Sequence, residues 1–483
     1  MNSLCKWDYN VRMLSHKRLT MLIVSIALFM DVLDSNVLNT AVPVIAHSFN
    51  VNPIELKVAL ISYLLSLAIF IPMSGWVADK YGAKPIFIGA IGLFVLSSFY
   101  CGNTRTLLEL SIGRFSQGIG GALMISLSRL IIARTFQRNQ FVKAMNSVII
   151  IVSLATMSGP FLGGVIVEQW SWPWIFWINI PIGIGLIIAA TLFLKDTAPK
   201  NPRPFDFLGF ILFAGSLAIL CYSLSALSEP VIHFDMEILR FCISLLMMGM
   251  YMLYEKRAHH PIIKLKLMEF RTFRISVFGN LLVRLGFGGI PFLLPVFQQV
   301  ALGFSPQESG LLLLPVAVGV IFSKLTGIIV LRKIGYRRFL LINTMIVAIV
   351  LSIFQLIHVG TSPYFLAFVT FIFGIFISTQ YTAINSLAFA QIPSDELSFA
   401  TSITGTAQIL ANTFGVAVSA ILLKFFSWHL NHSMRLSTAV FHHTFFALGV
   451  LTFLSALIFI FLEPQDGKEM LFADPVTPTV QHH

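Results

Sequence analysis

Phe29-Met-Asp31-Val-Leu-Asp34-Ser-Asn-Val-Leu-Asn39-Thr-Ala-Val-Pro43 sets two carboxylates inside an apolar run, Leu19–Ile45, that is long enough to cross a bilayer as one helix. A carboxylate at membrane depth is expensive and by default marks a functional site. Asp31 and Asp34 stand at i, i+3 and share a helical face. Two like charges on one face in hydrocarbon are hard to keep, so the pair suits uptake and release of a proton. An acid that merely snorkels or caps a helix end is the competing reading, and it fits Asp34 least because Asp34 lies deeper. The chain reads as one driven by protons.

Composition sets the class. The chain is 57% hydrophobic and only 11% charged, with a mean hydropathy of +0.85, well above the apolar share of a soluble domain. Apolar runs of helix-spanning length recur near 20–46, 56–77, 86–103, 107–133, 142–167, 174–194, 207–227, 236–254, 274–301, 308–331, 338–358, 363–391, 397–426 and 441–462. Barrel strands would be half as long and would alternate apolar with polar. The expectation is an all-α membrane protein with about fourteen transmembrane helices.

The net charge of +11 suggests nucleic acid until its placement is read. Lys17 and Arg18, Lys80 and Lys84, Arg134 and Arg138, Lys256 through Arg274, and Arg332 through Arg338 fall on one side if both termini are cytoplasmic. Lys57, Arg105 and Arg435 fall on the other. This is the positive-inside pattern, so the basic runs orient the chain against the bilayer and lipid rather than nucleic acid. The first apolar run is too long for a signal-peptide core and reads as a retained helix. Cys5, Cys101, Cys221 and Cys242 lack metal or redox spacing, and His429 with His432 lacks a third ligand, so no metal is expected.

The runs group as six, two and six. The expected divisions are a cytoplasmic N-terminus at 1–19, a first six-helix bundle at 20–194, a linker at 195–206, an inserted helix pair at 207–254, a basic linker at 255–273, a second six-helix bundle at 274–462 and a cytoplasmic tail at 463–483. A faint internal repeat supports two related halves. Gly75-Trp-Val-Ala-Asp79-Lys80-Tyr-Gly82-Ala-Lys84 follows helix 2, and Leu331-Arg-Lys-Ile-Gly335-Tyr-Arg-Arg338 follows helix 10. Aligning the glycines sets Arg332 against Asp79. Such repeats are how secondary transporters build two halves around a midplane site.

With these motifs in hand, the chain resembles the major facilitator superfamily, and within it the 14-helix drug:proton antiporters, over roughly 20–462. Gly75–Lys84 resembles the superfamily pattern Gly-x-Leu-x-Asp-Arg-x-Gly-Arg-Lys, with Val77, Lys80 and Ala83 as departures. Arg114-Phe-Ser-Gln117-Gly118-Ile-Gly120-Gly121 resembles a helix 4 motif, and Ser158-Gly159-Pro160-Phe-Leu-Gly163-Gly164 an antiporter signature on helix 5. The longer form of that signature has glycine where Ala155 stands here. Leu33–Pro43 and Trp172-Pro-Trp-Ile-Phe-Trp-Ile-Asn179-Ile-Pro181 resemble patterns of the 14-helix branch.

The resemblance implies roles. Asp79, Lys80 and Lys84, with Gly75 and Gly82 for close backbone passage, would form a cytoplasmic gate in which the acid meets helix ends of the other bundle. Gly159, Pro160, Gly163 and Gly164 would kink helix 5 into a tight outer seam, which favours export over uptake. Arg114 sits too deep to snorkel, and a buried cation needs a partner. Asp31 and Asp34 are its nearest candidates, with Gln117 one turn on. Asn39, Gln117, Arg284, Gln380 and Asn385 are candidates for the cavity wall. Arg284 can attract an anionic cargo group or serve hydrogen bonding inside the bundle, and Gln380 can equally serve helix packing.

The expected function is proton-coupled export of small amphipathic molecules by alternating access, with no cofactor beyond the proton gradient. The expected setting is a bacterial inner membrane, the protein working as a monomer, with an outer-membrane or periplasmic export partner left open. A dedicated exporter of one metabolite or siderophore shares every feature, whereas an uptake symporter is disfavoured by the helix 5 motif. An enzyme would need a catalytic cluster, and no HExxH, GxSxG, P-loop or CxxC set occurs.

Overall fold

The computed structural model describes residues 3–136, 138–195, 204–229, 233–258, 263–393, 396–468 and 470. Among them, fourteen helices are long and apolar enough to cross a bilayer. The first six are α1 (Lys17–Phe49), α2 (Lys57–Tyr81), α3 (Ala83–Gly102), α4 (Leu107–Thr135), α5 (Ser147–Gln169) and α6 (Trp174–Phe193). Two follow, α7 (Phe207–Ala226) and α8 (Phe234–Glu255). The last six are α9 (Arg271–Ala301), α10 (Pro306–Lys324), α11 (Ile329–Leu356), α12 (Pro363–Ala388), α13 (Phe399–Asn431) and α14 (Thr438–Phe461). Most of the linker at 195–206 and the tail beyond 470 lie outside the described residues.

Local chemistry sets several of the ends. Thr106 caps α4 by accepting from the Glu109 amide at 3.2 Å, and Ser305 and Glu308 cap α10 reciprocally. Asp206 caps α7 and also accepts from the Tyr254 hydroxyl at 2.8 Å, which pins the two inserted helices together. The repeat glycines share one backbone state. Gly82, between α2 and α3, has φ +92°, and Gly335, at a kink near the start of α11, has φ +75°. A side chain is strained there, so both halves keep glycine at the same turn. Gly75 is different: a Cβ added to it would meet nothing within 4 Å in this structure.

α1–α6 pack on one another as one bundle and α9–α14 as a second. They meet along α2 against α13 and along α5 against α10. α7 lies against both α2 and α13, while α8 packs chiefly on α7 and turns Leu239, Leu246 and Leu253 outward. The basic residues Lys17, Lys80, Lys84, Arg134 and Arg271 gather at one end of the assembly, called here the basic end.

The opposite end is where the bundles join. Gly159 and Gly163 take the close approach of α1, with Asn36 Cβ and the Val37 carbonyl at 2.5 and 2.7 Å from where a Cβ would stand. Gly164 abuts the Pro306 carbonyl, and Gly310 abuts the Pro160 carbonyl, so the same turn of α5 also grips α10. Hydrogen bonds cross between bundles nearby: Gln299 Nε2 donates to the Thr40 carbonyl at 2.8 Å, Asn52 Nδ2 to the Met434 carbonyl at 2.9 Å, and the Gln307 amide to Glu168 at 2.8 Å. At the basic end, Asp79 pairs with Arg134 inside the first bundle. Arg271 holds Glu463 and Asp466 in the second, and its hydrogen bond to Glu463 keeps that carboxyl below the usual carboxylate range.

Candidate functional site: two buried arginines

In the first bundle, α1, α2, α3, α4 and α6 converge on Arg114, which is 1% exposed. Its Nη1 donates to Asp34 Oδ2 at 2.5 Å and to Gln117 Oε1 at 2.6 Å. The other Asp34 oxygen accepts from Gln117 Nε2 at 2.9 Å and Asn179 Nδ2 at 2.7 Å, and Gln117 Nε2 also donates to Ser98 at 2.8 Å. Asp34 therefore meets one cation and two amides, which together satisfy both carboxylate oxygens.

Asp31, one turn earlier, is held differently. It accepts one hydrogen bond, from the Tyr63 hydroxyl at 2.6 Å. The Tyr63 ring lies under the Arg114 guanidinium, 4.2 Å from its centroid, so phenol and arginine are coupled through the ring. The helix 4 glycines explain the crowding. A Cβ at Gly118 would stand 2.6 Å from the Tyr63 carbonyl, and one at Gly121 would stand 2.5 Å from the Asp31 carboxylate. Any larger residue at Gly121 would push Asp31 aside.

The second bundle buries Arg284 at 6% exposure. Its Nε donates to Asn280 Oδ1 at 2.5 Å and its Nη1 to Asn412 Oδ1 at 2.7 Å. The guanidinium stacks 3.8 Å from the Tyr381 ring centroid. Asn385 Oδ1 joins the group, accepting from Gln408 Nε2 at 2.7 Å and Asn280 Nδ2 at 3.5 Å. α9 breaks one turn past Arg284, at Gly288–Gly289, before resuming as Ile290–Val296. There Gly288 and Gly289 press on the Gly415 turn of α13.

Gln117, Gln380 and Asn39 each have hydrogen-bond partners within the bundles. Gln117 is fully buried within the Asp34 network. Gln380 is also fully buried, bonded to Asn343 and Thr344 at 2.7 Å each, so it ties α12 to α11. Asn39 turns back to the Ser35 carbonyl of its own helix at 3.2 Å. Arg284 and Asn385 do come together. At the basic end, Asp79 pairs with Arg134 at 3.0 Å, within its own bundle rather than with the other. Lys80 lies over the Trp76 ring, and Lys84 donates to the Thr191 carbonyl at 2.8 Å.

Tyr63, Ser98 and Asn179 were not singled out as site residues. Asn179 stood inside a quoted motif, which was its only signal. Tyr63 and Ser98 are ordinary polar residues in apolar helices, and only packing brings Tyr63 to Asp31 and Ser98 to Gln117.

This architecture is a helical transporter built from two six-helix bundles and an inserted pair. The Major Facilitator Superfamily profile matches residues 24–342 and 276–478, and the chain belongs to that superfamily. Its relatives include the multidrug resistance protein MdtD of Pectobacterium atrosepticum, 34% identical over 93% of this chain and 97% of that one. MdtD of an Enterobacter strain is 35% identical over 93% and 95%. Among solved structures, a D-xylose-proton symporter superposes with a TM-score of 0.64 at 17% identity, covering 93% of this chain and 98% of the other. An inward-facing, unoccupied bacterial homologue of the lysosomal transporter Spinster gives 0.65 at 14%, covering 95% and 99%.

Proposed function

We propose that the protein exports small amphipathic molecules in exchange for protons by alternating access. It would sit in a bacterial inner membrane with its basic end and both termini in the cytoplasm, and act as a monomer with no cofactor beyond the proton gradient. The observation that carries the coupling is the unequal partnering of the two α1 acids. Protonating Asp34 would strip Arg114 of its counter-ion in a buried site, which is costly. Protonating Asp31 sacrifices no ion pair. Asp31 is therefore the proton carrier, and Asp34 with Arg114 is the fixed charge beside it. Tyr63 links the two by its hydroxyl and its ring.

The α5 seam supports the direction. With α5 gripping α1 and α10 away from the basic end, the bundles meet on the outer side, and the cavity faces the cytoplasm, where export loads its cargo. A proton entering through about 100 mV contributes roughly 2.3 kcal/mol from the potential alone, enough to bias one half-cycle. The multidrug resistance names of the relatives agree with this reading.

The test is dye efflux in inverted membrane vesicles, with and without a proton gradient. Asp31→Asn should insert and fold normally yet lose gradient-driven transport, because an amide cannot cycle a proton. Gradient-driven transport at the unmutated rate in that variant would remove Asp31 from the coupling step.

A further inference from the structure

Arg284 lacks what Arg114 has. Its described partners are two asparagine oxygens and a tyrosine ring, all neutral. Nor does its bundle hold an acid to spare. Across α9–α14 the one acidic residue is Glu308, which is occupied in capping α10. In the first bundle Asp34 is committed to Arg114. A buried guanidinium with no carboxylate is expensive, and retained charges of this kind mark substrate sites.

Two further observations say that the site opens onto a space. Gly405, Gln408 and Asn412 follow one another at i, i+3 and i+7 along one face of α13. A Cβ added at Gly405 would meet nothing within 4 Å, so that face is unfilled towards the basic end. Arg284 Nη2 has no described hydrogen-bond partner, although both other guanidinium nitrogens do. In addition, the break at Gly288–Gly289 interrupts α9 one turn away, and interrupted helices at membrane depth border binding sites in secondary transporters.

We propose that the cargo carries an anionic group, a carboxylate or one of similar size, and that Arg284 receives it. The unpaired Nη edge binds the anion, the amides of Gln408 and Asn412 flank it, and the Tyr381 ring supports the guanidinium from behind. The cargo thus supplies the counter-ion that the second bundle lacks. This rests on the transporter reading but requires neither proton coupling nor a direction.

Binding to purified protein tests it with three probes of one apolar body: 1-pyrenebutyrate, its neutral amide, and a pyrenylbutyl trimethylammonium. The unmutated protein should bind the carboxylate on the order of tenfold or more tightly than the amide or the cation. Arg284→Gln should erase that preference while leaving amide binding in place, and Arg284→Lys should restore part of it. Asn412→Asp provides the second arm, since it sets an internal carboxylate beside Arg284 without deleting the cation. It should fold and also lose the preference. An unmutated protein indifferent to head-group charge would overturn the proposal, as would an Arg284→Gln or Asn412→Asp variant that still prefers the carboxylate. The vesicle assay separates the two readings. Head-group selection without proton-linked export sinks the coupling alone, and export of the cation by an Arg284→Gln variant at the unmutated rate, with no selection by the unmutated protein, sinks only the anion site.

Discussion

The two bundles each bury one arginine, and they neutralise it by opposite means. Arg114 sits in a buried network whose anion, Asp34, belongs to the chain, with both side chains 1% exposed. Arg284 sits among asparagines and a tyrosine ring beside an unfilled helix face. A charge satisfied from within is part of the protein's own structure. A charge left for something else to satisfy is a receptor. The faint sequence repeat describes two related halves, and on the readings proposed above their labour is divided, with proton handling in one and cargo recognition in the other.

The largest expected effect breaks the comparison at Asp34. Asp34→Asn leaves Arg114 buried without an anion, and removing one partner of such a pair destabilises by about 3–5 kcal/mol. Unfolding in detergent micelles should show the loss, and the double variant Asp34→Leu with Arg114→Leu should recover much of it. Equal stability of Asp34→Asn and the unmutated protein would mean that the pair is no structural unit.

Next comes the α5 seam, where the two bundles meet. Gly159→Leu forces a side chain into a position where Asn36 Cβ already stands 2.5 Å from a methyl group's place. Overpacking of this kind costs about 1–3 kcal/mol. Probe binding should survive, turnover should fall, and proton leak without cargo should rise in liposomes loaded with a pH-sensitive dye. Normal export with no added leak would reduce the α5 motif to ordinary packing and remove the main support for export.

How much of this was legible beforehand follows the same division. Helix count, the paired acids, the deep Arg114 and the kinked α5 are written in local sequence, because membrane length, charge cost and proline geometry are local rules. Partner choice is not local. Gln117 and Gln380 looked like cavity polars, yet both close networks between helices, since a buried amide with four hydrogen-bonding sites is satisfied best by neighbours. Tyr63 gave no signal because its role depends on α2 and α4 touching at Gly118. The Gly288–Gly289 break was hidden inside a run that reads as one uninterrupted span.

A smaller effect is expected at Arg284 itself, and its smallness is informative. Arg284→Met breaks no ion pair, so stability should change by no more than about 1 kcal/mol in either direction, in contrast to the first bundle. A loss as large as that of Asp34→Asn would mean Arg284 is structural after all, and the contrast between the halves would collapse.

The smallest effect belongs to the exposed ion pair at the basic end. Asp79 and Arg134 pair at 3.0 Å, the same kinds of group as Asp34 and Arg114, but their side chains are 44% and 22% exposed. Water already solvates each charge, so the pair contributes about 0–1 kcal/mol, and salt screens it. Asp79→Asn should therefore leave unfolding almost unchanged and alter only the rate at which the basic end opens and closes, read as turnover at saturating dye. The pair lies within one bundle in this state, so any effect must come from how α2 and α4 present their ends to the second bundle in the other state. If Asp79→Asn instead destabilises as strongly as Asp34→Asn, exposure is not what separates the two pairs, and the division between structural and receptive charges would have to be drawn on other grounds.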